Sequence, residues 1–207
     1  MKIELKNIHH SEKLSEETNA FSANLYIEGK MVGTASNNGH GGSTGYRAND
    51  VKGQKLIADA EIYCKGLPPI KFNSGGEDHF LDMDLEGYID ELVDKYLQDK
   101  YYKQFQKKIK SDMEKGIVVG IPDKSYVLWK FNMPLEKIIA HPKGPDLLKK
   151  ALIKDIISTL INGNKILNTN IPLSIFQAVG LNENHYIKQF TKDDAVNKNM
   201  KRPGRKL

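Results

Sequence analysis

The chain has 207 residues, 39% hydrophobic and 28% charged, enough for one full core or a core with a small annex but not for a large multidomain assembly. No run approaches the roughly 18 apolar residues of a membrane span, and the start, MKIELKNIHH, alternates too early with polar groups for a signal peptide; the expectation is a cytoplasmic protein without membrane contact. The 31 basic and 26 acidic residues leave +5. Seven bases against Asp193 and Asp194 after Tyr186 account for all of it, so the alkaline pI reports a tail, read as a solubilising terminus that could also attract polyanions.

In chain order, Ile3 and Leu5 alternate with Lys2 and Glu4, and Phe21, Ala23, Leu25 and Ile27 with Ser22, Asn24, Tyr26 and Glu28. Period two predicts half-buried strands, and Gly29 supplies the hairpin turn to a third strand over Met31–Ser36. After a glycine-rich loop, Leu56, Ile57, Ala60, Tyr63, Cys64 and Leu67 recur at helical spacing, and Gly66 with Pro68 and Pro69 stops the helix. Residues 71 to 83 read as a polar connector containing Ser74, Gly75 and Gly76, and as a boundary between modules.

From Leu85 to Met113 apolar residues hold spacings of three and four, with acids leading and bases following, which predicts one long helix suited to its dipole. Gly116–Gly120 and Tyr126–Phe131 predict a hairpin. Pro145 opens a helix with Leu148, Ala151, Leu152, Ile156, Ile157 and Leu160 on its buried face, closed at Asn162 and Gly163, and Ile171–Val179 packs back afterwards. The fold expected is α+β: a β-rich module over 1–70, a helical module with a hairpin over 71–185, and a basic tail over 186–207.

The densest oddity is the loop Asn37 to Arg47, with four glycines in the seven residues from Gly39 to Gly45. Such a loop lets backbone amides approach a ligand closely, and phosphate is the group that wants them. The candidate ligand residues are Asn38, Gly39, His40, Gly41, Gly42, Ser43, Thr44, Tyr46 and Arg47. The loop lacks the lysine of a Walker motif, and a plain turn explains the same glycines. His9, His10, His40, His79, His141 and His185 show no metal spacing; a site assembled only in space, for instance from His40 with His79 and Asp78, is the metal reading left open. Cys64 sits in an apolar stripe and reads as a buried thiol. No nucleophile or carboxylate constellation assigns catalysis, and no cofactor is implied.

Lys6-Asn7-Ile8, His10-Ser11-Glu12, Ser15-Glu16-Glu17-Thr18, Ala20-Phe21, Tyr26-Ile27-Glu28-Gly29-Lys30, Val32-Gly33, Ser36-Asn37 and Gly39-His40-Gly41-Gly42 together resemble an uncharacterised family of small phage and prophage proteins, over about residues 2 to 69. The resemblance implies a viral origin and an accessory role in an infected bacterial host, and carries no activity. The function expected is a non-enzymatic anti-defence protein that sequesters a phosphorylated small molecule, such as a nucleotide immune signal, or inhibits a host defence protein. Nucleic-acid association through the tail and long helix, and a histidine-dependent nuclease or hydrolase, are the alternatives; homo-oligomers are compatible with each.

Overall fold

A computed structural model describes residues 1–188. The basic tail therefore lies, from Gln189 onward, outside the described residues. The fold is α+β, as expected. The chain divides into two compact units, Met1–Lys100 and the residues from Tyr101 onward.

In the first unit, β1 (Ile3–His10), β2 (Phe21–Ile27), β3 (Lys30–Asn37) and β4 (Gly45–Ala48) form an antiparallel sheet in that order. The expected three-stranded meander thus gains a fourth strand, whose alternation runs for too few residues to be read beside so many glycines. Phe21, Ala23, Leu25 and Ile27 are buried, the face that period two requires. Glu28 and Gly29, both at positive φ, close the β2–β3 turn. α1 (Val51–Lys65) starts where the Asp50 side chain accepts from the Gly53 amide at 2.7 Å, a side-chain N-cap. Gly53 also lets the helix lie close on the sheet, because a Cβ there would collide with the Val32 carbonyl. Ile57, Ala60 and Cys64 are buried beneath α1, so the thiol is a core atom.

The expected polar connector over 71 to 83 is instead an antiparallel hairpin, β5 (Ile70–Ser74) and β6 (Glu77–Leu81). It reads as linker because it has almost no buried face: only Ile70 is half-buried. The module boundary placed at residue 70 moves as well. α2 (Leu85–Met113) contributes Leu85, Ile89, Val93 and Leu97 to the same core as Leu25 and Ile57, and the division falls within this helix, after Lys100.

In the second unit β7 (Gly116–Ile121) pairs with β8 (Ser125–Lys130) as the expected hairpin, and β9 (Lys165–Ile166) adds to its other side. Two short helices, α3 (Leu135–Ala140) and α4 (Gly144–Ala151), precede a wide π turn over Leu152–Ile156 and a 3-10 turn over Ile157–Thr159. The helix expected to run unbroken from Pro145 is therefore interrupted. Leu148, Leu152 and Ile156, four residues apart, all stay fully buried through the wider turn. α5 (Leu173–Ala178) buries Ile175 and Phe176. Tyr186, expected to open the tail, is a core residue: it bridges to Ile166 and stacks on Phe176 with ring centroids 5.0 Å apart.

Candidate functional site

The glycine-rich loop is held by the protein itself. The Gly39 carbonyl accepts from the amides of Glu16, Glu17 and Thr18 at 3.0 to 3.3 Å. The amides of Gly39, His40 and Gly41 donate to Asn37 Oδ1, Asn38 Oδ1 and Thr18 Oγ1. At its far end Thr44, 3% exposed, donates its amide to Glu86 Oε1 at 2.9 Å and its hydroxyl to Asp90 Oδ1 at 2.6 Å. His40 Nδ1 lies 3.2 Å from Glu16 Oε2, and a Cβ at Gly41 would meet the Glu17 carboxylate. Of the amides from Gly39 to Thr44, those of Gly42 and Ser43 have no partner among the described residues.

Carboxylates of Glu16, Glu17, Glu86 and Asp90 thus surround the loop. Burial pushes the Asp90 carboxyl above its usual range, an effect that its Thr44 hydrogen bond opposes and the nearby Glu86, Asp94 and Asp84 reinforce. The first unit as a whole carries 11 Lys and Arg against 17 Asp and Glu, a net −6. With the amides of Gly39, His40, Gly41 and Thr44 engaged, and an acidic surround, the loop makes a poor phosphate cradle.

Two of the candidate residues, Tyr46 and Arg47, lie instead on a second feature: a cleft of about 660 Å³ between β4 and α1, lined by these two with Ala48, Asn49, Asp50, Val51, Gln54, Ile57, Ala58 and Glu61. β4 is the last strand of its sheet. The Asn49 amide donates to the Val32 carbonyl, which sets the phase of the β3–β4 ladder. Gly45 and Arg47 turn their backbone groups to β3, leaving those of Tyr46 and Ala48 aimed along an edge unpaired among the described residues. The cleft floor is apolar, with Ile57, Ala58 and Ala48, and its rim holds Glu61, whose Oε1 accepts from the Tyr46 hydroxyl at 2.8 Å. Burial first, then Glu61, raises the Tyr46 phenol well above its ordinary value and keeps it a donor.

Sequence reading missed the cleft because neither side of it carries a motif. The signals present were Asp50 as a helix cap and Ala58, a small exposed residue beside Asp59 and near Glu61 on α1.

The histidines do not converge. His10 contacts Ser15 Oγ, His79 stacks on Phe72, and His141 and His185 accept local backbone amides. Among the described residues no group of three or more His, Cys, Asp or Glu is placed to hold a metal ion, and no helix is long and apolar enough to cross a membrane. No family model matches the sequence, and no curated protein and no solved structure matches the chain.

Proposed function

We propose that the protein is an accessory binding protein of the phage type that captures an extended segment of a partner, a host defence protein, in the cleft between β4 and α1. The observation that carries this reading is the free edge of β4 beside an apolar floor: main-chain groups at Tyr46 and Ala48 can hydrogen-bond an added strand, while Ile57 and Ala58 take its alternate side chains. Glu61 at the rim favours a basic residue in the bound segment. The accessory role rests on the resemblance of residues 2 to 69 to small phage proteins.

Peptide display against the full chain tests this. An apolar, β-prone consensus with a basic position is expected. Ala48→Pro should abolish its binding, because it removes an edge donor and leaves the β3 ladder intact. Gly42→Val, whose Cβ would meet nothing within 4 Å, should leave binding unchanged. A nucleotide released on heating the purified protein, and rebound equally by the Ala48→Pro variant, would overturn the reading and restore the loop as the ligand site.

A second reading has its own observation. Residues 101 to 207 hold 20 Lys and Arg against 9 Asp and Glu, a net +11, and Tyr101 and Tyr102 are exposed among Lys100, Lys103 and Lys107. This favours weak, sequence-independent association of the second unit with nucleic acid, steeply sensitive to salt. Retention of single-stranded DNA binding by a Tyr101→Ala, Tyr102→Ala variant, with its salt slope unchanged, would remove the aromatic contribution.

A further inference from the structure

β5 and β6 form a two-stranded sheet on their own, closed by Gly75 and Gly76 at φ 64° and 88°, the primed turn of a tight hairpin. A lone hairpin is marginal in water, and this one leaves Phe72, Phe80 and Leu81 at 48%, 65% and 60% exposure. Both edges are unpaired among the described residues. The two-residue turn fixes which backbone groups face outward. Ser74 pairs with Glu77 across the turn, so Ser74, Phe72 and Ile70 bond inward to β6, while the groups of Lys71 and Asn73 on β5, and of Asp78 and Phe80 on β6, point away.

We propose that β5 pairs with β5 of a second copy of this chain, antiparallel and about a two-fold axis at Phe72, giving a four-stranded sheet in the order β6-β5-β5-β6. In this register Lys71 of each copy faces Asn73 of the other, and all the outward groups of β5 are bonded. Phe72 meets its twin as a non-hydrogen-bonded pair, where side chains come closest. The Phe72 rings, each stacked on its own His79 at 5.4 Å, then form one row across both copies, with Ile70 and Leu81 on the same face of the sheet one step along.

Charge selects the edge. β5 carries only Lys71, which lies opposite an asparagine, whereas β6 carries Glu77 and Asp78. Pairing through β6 would set four carboxylates on adjoining strands; pairing through β5 keeps them at the outer edges, with Asp78 bound to its own Lys71 at 2.7 Å. Strands of five residues bury much less than the roughly 1,200 Å² of a stable interface, so the dimer is weak and concentration-dependent.

Analytical ultracentrifugation of the full chain from micromolar to millimolar concentration reads the proposal. The parent should shift toward dimer. Asn73→Pro, which deletes an outward amide and spares the β5–β6 ladder, should stay monomeric, and Phe80→Pro, its counterpart on β6, should behave as the parent. A parent monomeric throughout, or a dimer lost only in Phe80→Pro, overturns it. Should the proline variants misfold, Phe72→Cys decides: its twin Cα lies about 4.5 Å away in this register, within disulfide reach. Mild oxidation should link this variant into dimers many-fold faster than Asn73→Cys, and equal rates would refute the register. Cys64 is buried and does not compete. None of these outcomes depends on the β4 cleft.

Discussion

Glycines of one loop have unlike duties. A Cβ at Gly39, which sits at φ 91°, would strike the Leu14 carbonyl and come within 2.9 Å of the Ala20 Cβ, while at Gly42 it would meet nothing within 4 Å. Gly39→Ala should therefore lower the melting temperature by several degrees, and Gly42→Ala should leave it unmoved; thermal unfolding followed by circular dichroism separates the two. A buried asparagine in the second unit has a comparable structural weight. Asn168, fully buried, accepts from the Val118 amide at 2.7 Å and donates to the carbonyls of Gly116 and Met113 at 3.0 and 3.4 Å. Asn168→Ala strands the Val118 amide and the Gly116 carbonyl away from water, while the Met113 carbonyl keeps its bond from Asn170 at 2.9 Å, and should cost about 2–4 kcal/mol, measured by urea denaturation. Neither role was legible in the sequence. The glycine density was conspicuous, yet which glycine touches backbone depends on the chain segment 14 to 20, which returns from elsewhere. Asn168 lies in a polar run, Asn168-Thr169-Asn170, that reads as loop.

At the scale of elements, legibility followed burial. Strand β2 and helices α1 and α2 each press one face on a core, so hydrophobic period announced them, and the Gly29 turn announced β3. Hairpin β5–β6 has no such face, and only its Gly-Gly turn marked it; α3, with six residues, is too short for a period to emerge. The link between the end of α2 and β8 was equally invisible, since it is made by polar atoms. Asp112 accepts from Lys115 Nζ at 2.8 Å and from the Tyr126 hydroxyl at 2.9 Å. The lysine, ahead of an opposing effect of burial and with help from Tyr126, holds the Asp112 carboxyl below its usual range. A depressed folded value means that its stabilisation is complete above the unfolded pKa of about 4 and is lost as pH falls through the lower folded one. Burial, then Asp112, pushes the Tyr126 phenol up to about 12. Its stabilisation is complete below the unfolded pKa of about 10 and fades as pH rises toward the folded value. Asp112→Asn should flatten the acid limb of stability against pH, and Tyr126→Phe the alkaline limb. Urea midpoints across the pH range check both.

For the whole molecule, the decisive fact is that buried side chains segregate. The core of the first unit draws on residues from Ile3 to Leu97, and the clusters of the second draw on residues from Ile109 onward, with no residue in common. Each unit, of about 90 to 110 residues, is the size of a domain with its own cooperative transition. The sequence suggested two modules but divided them at residue 70, because a polar hairpin looks like a linker while a continuous helix conceals a boundary. Calorimetry distinguishes two cores from one. Leu25→Ala and Phe176→Ala each empty a fully buried position, and such truncations cost about 3–5 kcal/mol. If the units unfold separately, the parent shows two transitions, and each variant lowers one of them by about 10 °C or more while leaving the other in place. A single transition that both variants lower equally would show that the two cores melt as one cooperative body, with α2 dividing the contacts but not the unfolding.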